Sequence, residues 1–293
     1  MTMKVLPPPP VTGPPVFRPN LALAGSWERE RQRHKRLLRQ CRRQPSGRNI
    51  HDLRIATRRL LAYLGLLRTV SSLRVLRRSQ KKLKKLLRLT APARDARVQL
   101  RLLGRLARDQ RHPGLRKIRR QLKARTRRLA RELPAELKRC QPTVRRIPPD
   151  RFASLPPITP GPLLRLKFNR LRERLRAART GETSALHQAR LTLKQLRYLV
   201  EIILPPSPGQ ALKPLEQLTA IQSALGELHD FDLLLRRLET YARRHKPLAA
   251  WLRPRRAALR RRRQALRRAR PQLAMELAAL LPPHRPPAAK TPA

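Results

Sequence analysis

The sequence predicts an all-α protein, and three observations carry that prediction. Leucine and alanine dominate the apolar residues, and those residues recur at three- and four-residue steps along most of the chain. Alternating strand patterns are scarce. Proline-rich breaks cut the periodic stretches into pieces of helix length. At 293 residues the chain is long enough for one large domain or two smaller ones around a buried core.

Charge bounds the function. Lys plus Arg is 71 against 17 Asp plus Glu, a formal net charge of +54, so at most about a quarter of the cations can have a carboxylate of their own. Two cations one helical turn apart repel by roughly 0.7 kcal/mol in water and about 3 kcal/mol at an effective dielectric of 20. Such a surface calls for an external polyanion. GC-rich codon usage accounts for part of the arginine surplus, but not for matched rows of cations. No uninterrupted apolar run approaches the length of a membrane span, and the run Pro7-Pro8-Pro9-Pro10 stands where a signal peptide would need an apolar segment. Cys41 and Cys140 are distant from one another and lack metal spacing, which fits a reducing cytoplasm.

Taken in order, residues 1–25 read as a disordered proline-rich arm. Ser26 is a candidate N-cap for a helix running to about Cys41. Glu28 and Glu30 superficially match a triphosphate-tunnel signature, but the closing lysine is missing and the pattern there is helical. After the turn Pro45-Ser46-Gly47, a helix covers about 50–68. Ser71 or Ser72 caps the next, to about Leu89, with an apolar seam of Leu73, Leu76, Leu83 and Leu87. That helix also carries Arg74, Arg78, Lys81, Lys85 and Arg88 in steps of four and three, broadened by Lys82 and Lys84. No glutamate interleaves this ridge, whereas helix surfaces normally mix signs at i,i+4.

Thr90-Ala91-Pro92 starts a helix containing Arg94 and Asp95 that runs to about Asp109. A basic helix follows the break at His112-Pro113-Gly114, from about Leu115 to Leu133, where Pro134 kinks or ends it. Seven prolines between Pro142 and Pro162 mark a linker, 141–162, between a first half at 26–140 and a second at 163–280. The second half reads as helices at about 163–178, 184–204 and 212–225, then Gly226 and a further helix to about Arg244. A long basic helix, about 248–281, has its ends or kinks at Pro254 and Pro271, and 281–293 is a disordered tail.

Two of these helices carry one pattern. His51, Arg54 and Arg58 fall within roughly 60° on the first, and His187, Arg190, Lys194 and Arg197 within roughly 80° on the second. Leu53, Ala56, Leu60 and Leu64 lie opposite the first row, as do Ala189, Leu193, Leu196 and Val200 the second, so each helix has an apolar face and a cationic face. His51 to His187 is 136 residues, and Asp95 to Asp230 is 135. Two separate landmarks agreeing to one residue indicate an internal duplication.

The motif His-x-x-Arg-x-x-x-Arg-Arg-Leu from His51, its counterpart from His187, Arg94-Asp95 and the run Leu225 to Asp232 together resemble the conserved histidine α-helical domain (CHAD) family. The resemblance covers roughly residues 26–280. It implies two helical bundles related by pseudo-twofold symmetry, with a basic groove or pore between them that binds inorganic polyphosphate. It further implies a free-standing binder with no triphosphate-tunnel partner domain, and storage granules as a place of association. Three positions depart from the family pattern. The family usually has a cation where this chain has Leu61 and Gln195, and an acid in place of Arg97.

A linear polyphosphate is a string of oxyanions without bases or sugars, so its receptor needs Arg and Lys repeated along a line. The expected contacts are His51, Arg54, Arg58 and Arg59; Arg74, Arg78, Lys81, Lys82, Lys85 and Arg88; and His187, Arg190, Lys194, Arg197 and Tyr198. His51 and His187 have two readings, as phosphate donors at helix N-termini or as structural caps. Tyr198 divides likewise between donating its hydroxyl and packing. Asp95, Asp230 and Asp232 are expected to orient guanidinium groups or to cap helices. No phosphate loop, nucleophile elbow or metal-spaced cluster occurs, so neither catalysis, metal nor cofactor is expected. Nucleic acid is the alternative partner, since charge alone would hold it. Aromatics at 3% leave few stacking platforms for single strands.

Overall fold

The structure is a computed structural model that describes residues 19–109, 113–142, 144–156, 160–177, 183–203, 213–243 and 246–268. Every regular element among them is a helix: α1 (Pro19–Arg43), α2 (Gly47–Leu67), α3 (Arg74–Leu89), α4 (Ala91–Asp109), α5 (Pro113–Cys140), α6 (Pro149–Ala153), α7 (Pro160–Ala177), α8 (Thr183–Ile203), α9 (Lys213–Ala242) and α10 (Lys246–Arg268). The proposed arm before Pro19, the break around His112, Pro271 and the C-terminal tail lie outside the described residues.

Several helix limits differ from those expected. α1 begins at Pro19, whose fixed φ suits a first turn, so Ser26 is not its cap. Ser26 sits inside the helix and donates its hydroxyl back to the Ala22 and Leu23 carbonyls at 3.0 and 3.1 Å. The cap of α2 is Ser46, whose Oγ accepts the Asn49 N–H at 3.0 Å. Pro134 lies within α5 without ending it, and Pro254 likewise within α10. Gly226 does not break α9 either, and a Cβ there would meet nothing within 4 Å. Its cost is about 1 kcal/mol of helix propensity, which 30 residues of packed helix absorb. Gly47 is different, because a Cβ there would come 3.3 Å from the Arg97 side chain.

Helices α1 to α5 pack mainly among themselves, as do α7 to α10, and two seams join the sets: α2 on α8, and α4 on α9. The apolar faces read from sequence are the buried ones, with Leu53, Ala56, Leu60 and Leu64 of α2 and Ala189, Leu193 and Leu196 of α8 at 4% exposure or less. One core surrounds Trp27, Leu60, Leu64, Leu83 and Leu199; a second joins Leu103, Ile118 and Leu122 to Leu234, Leu238 and Leu252. Both combine residues from the two sequence halves. The proline-rich stretch between them contributes as well, because Phe152 of α6 is fully buried in the first core beside Val144. An aromatic side chain so buried contributes roughly 2–3 kcal/mol, so this connection is docked onto the bundle.

Candidate functional site

Burying one face of α2 against α1 and α3, and one face of α8 against α7 and α9, leaves the cationic rows of both helices at their mutual seam. Arg58 and Lys194 line one cavity of about 400 Å³ there, together with Tyr198. α3 contributes Lys84, and α7 contributes Lys167, Arg170 and Arg174. Burial is the main reason the Lys194 ammonium is pushed down to about 6, with Arg58, Arg190 and Arg94 adding to it and Asp230 opposing. Arg190 is 7% exposed and is lowered to about 10 by burial, which Asp230 opposes. Arg54 is lowered to about 9 by burial, then by Arg58 and Arg94, and remains charged at neutral pH. Burial also lowers Arg58, against which the Tyr198 hydroxyl rests. The seam thus concentrates positive charge in a partly desolvated space, where such charges repel most strongly.

One arginine ties the two halves together through this charge. Arg94 of α4 makes a bidentate pair with Asp230 of α9, at 2.6 and 2.8 Å, and reaches its neighbour Asp95 at 3.0 Å. Burial works against the Arg94 charge, but these two carboxylates outweigh it. Arg94 also borders a second, larger cavity of about 1160 Å³, lined by His51 and Arg48 of α2, Arg97 and Arg101 of α4, and Arg116, Arg119, Arg120 and Lys123 of α5. Because Arg94 acts electrostatically on Arg58 and Lys194, the two cavities share one field.

The other expected contacts fall in three groups. Arg54 fastens the end of α3, donating to the Leu87 carbonyl at 2.6 Å and the Thr90 hydroxyl at 2.7 Å. Arg59 lies between Glu30 and Glu201, at 3.6 and 3.7 Å, and Arg197 is paired with Glu201, donates to Gln222 at 2.9 Å and covers the Tyr198 ring at 4.3 Å. The α3 ridge of Arg74, Arg78, Lys81, Lys85 and Arg88, with Lys82, is exposed and lines neither of these cavities. His51 is exposed at the larger cavity, whereas the His187 ring lies 4.9 Å from that of His229, which burial and Arg190 push down to about 4. Asp232 is buried. Sequence reasoning did not place Arg94, or the α7 row Lys167, Arg170 and Arg174, among the cations that line these cavities. That row has the same three-then-four spacing as His51, Arg54 and Arg58, so the signal was present. Among the described residues no cluster of His, Cys, Asp or Glu could hold a metal, and no helix is long and apolar enough to cross a membrane.

The profile of the CHAD domain matches residues 28–239 and 164–293, most of the chain. The chain belongs to the CHAD domain family. Two solved structures share the fold at 20% identity. The CHAD domain of the plant Ricinus communis has a TM-score of 0.57, covering 89% of this chain and 92% of its own. PptA from Streptomyces chartreusis has a TM-score of 0.61, covering 89% and 98%. No curated protein matches the chain significantly. Two departures from the usual CHAD pattern, Leu61 and Gln195, both line the smaller cavity. Lys167 donates to Gln195 Oε1 at 3.0 Å, so α7 brings a cation to the place where α8 lacks one. The third, Arg97, donates to the Pro45 carbonyl at 2.7 Å and braces the turn that starts α2.

Proposed function

We propose that this CHAD protein binds inorganic polyphosphate along the cationic seam of α2 and α8, without catalysing its breakdown. The observation that carries this is the pairing of two cationic rows across one partly buried seam. Lys194, Arg190, Arg58 and Arg94 act on one another there, with Asp230 and Asp95 as the opposing charges. A chain of phosphates supplies the missing negative charge at many points at once, and guanidinium forks match its paired oxygens. The same geometry disfavours nucleic acid. Among the described residues Tyr198 is the only aromatic one lining the smaller cavity, it is 3% exposed, and Arg197 already covers its ring, so it offers no platform for a base.

Protonation of Lys194 gives the proposal a test. With a folded value of about 6 against an ordinary 10.5, the native protein lacks a proton between those limits that the unfolded chain holds. Stability of the ligand-free protein therefore rises with pH across that window and is flat below it as far as this group is concerned. A phosphate chain reverses the preference and favours the ammonium. Binding near pH 8 therefore takes up about one proton, and affinity falls as pH rises from 7 to 9. Calorimetric titrations in buffers of differing ionisation enthalpy read this directly, and a proton release would contradict it. Incubation of long-chain polyphosphate with the protein and Mg²⁺ or Mn²⁺ is expected to release no orthophosphate above the protein-free control. Sustained turnover would establish an enzyme instead.

A further inference from the structure

The geometry points to a second oxyanion site, separate from the α2–α8 seam: a bowl between α5 and α9 that takes a short run of linked phosphate groups. Two rows of α5 cations lie on either side of its buried residues Leu115, Ile118 and Leu122. Arg116, Arg119 and Lys123 form one row and face the cavity that His51 borders. Arg125, Arg128 and Arg131 form the other, about 150° away around the helix at 100° per residue. This second row, with Arg237 of α9, surrounds a cavity of about 740 Å³ that no other described cavity overlaps in its lining.

The bowl lacks negative charge of its own. Among the described residues, no Asp or Glu lines it. Glu132 reaches Arg128 at 3.6 Å, but both side chains are more than half exposed, so water and salt screen the pair. Glu239, the next acid along α9 from Arg237, is taken by Arg256 at 2.8 Å. Arg237 is half-buried and has no carboxylate partner among the described residues. Burial and the nearby Arg125 both work against its charge. Four guanidiniums held around one concavity, one of them partly desolvated, are stabilised by an anion that satisfies several forks together. From Arg125 to Arg131 the helix rises about 9 Å, more than one phosphate spans, so linked phosphates fit where a single oxyanion does not. The chemistry is that of a triphosphate run, whether in a longer chain or on a nucleoside. With the bowl beside the α2–α8 seam, one protein molecule holds two stretches of phosphate.

Arginine footprinting of the full chain tests this. Phenylglyoxal modification of each arginine is followed by mass spectrometry at 0.15 M salt, with tripolyphosphate as the probe. Exposed Arg172 of α7 and Arg253 of α10 serve as references for diffuse ion condensation. At ligand concentrations ten times the dissociation constant, Arg125, Arg128 and Arg237 are expected to be protected about ten-fold, and equally so in a Lys194→Ala variant. Protection no greater than at Arg172 and Arg253 would overturn the site. Protection that disappears in Lys194→Ala would also overturn it, by making the bowl part of the seam. The outcome at the bowl does not depend on what the seam binds, so the two proposals fail separately. An ATP arm identifies the source: protection by both probes marks any triphosphate run, and protection by tripolyphosphate alone marks the unsubstituted chain.

Discussion

Replacing Asp230 with asparagine is expected to lower the melting temperature of the ligand-free protein by roughly 10 °C, and long-chain polyphosphate is expected to restore most of the loss. Asp230 supplies both oxygens of the bidentate pair with Arg94, and its side chain is only 11% exposed. Removing one partner of such a pair leaves a partly buried guanidinium uncompensated, at about 3 kcal/mol. In a chain of this size each kcal/mol corresponds to about 3 °C. Asp230 also opposes the depression of Arg190 and Lys194, so its loss sharpens repulsion across the whole seam. A phosphate chain placed there provides the same sign of charge and stabilises the native state by mass action. Thermal melts with and without polyphosphate measure both quantities. A melting temperature that falls and stays down in saturating polyphosphate would show that the ligand does not reach this charge cluster.

The second large effect has opposite signs in its two readouts. Lys194→Met is expected to stabilise the free protein by about 1–3 kcal/mol, because an apolar chain of similar length removes a partly buried amine crowded by Arg58, Arg190 and Arg94. The same change is expected to weaken polyphosphate binding roughly 10- to 100-fold, the usual weight of a charge-assisted hydrogen bond to phosphate. A residue that serves only the fold would not produce this combination. Denaturant unfolding and calorimetric titration of the one variant supply both numbers, and loss of stability together with unchanged affinity would assign Lys194 to the core.

Much of the fold was legible because helix periodicity is local. The apolar faces of α2 and α8 follow from spacing alone, and their burial in turn dictates that the cationic faces meet. The α3 ridge was legible in position but not in its distance from the seam cavity. Arg74, Arg78, Lys81, Lys85 and Arg88 lie on the side of the helix opposite Leu76 and Leu83, so packing that seam turns them to solvent. Lys84, a quarter-turn away, reaches the cavity in their stead. What the sequence does not carry is partner choice. Arg59 and Arg58 are adjacent, yet one meets Glu30 and Glu201 while the other meets Tyr198 and the seam. That division depends on where α1 and α8 arrive, which no local pattern records. The break expected at Gly226 is absent for the same reason, since tertiary packing outweighs about 1 kcal/mol of unfavourable helix propensity.

On the proposed function, the two facing cationic rows select a bare chain of phosphates over phosphates that carry bases. Competition at fixed salt measures this most directly, with labelled long-chain polyphosphate on the protein and duplex DNA or RNA added at equal phosphate concentration. Polyphosphate is expected to remain bound and, in the reverse titration, to displace either nucleic acid. Displacement of polyphosphate by DNA would contradict the account and make the seam a nucleic-acid surface.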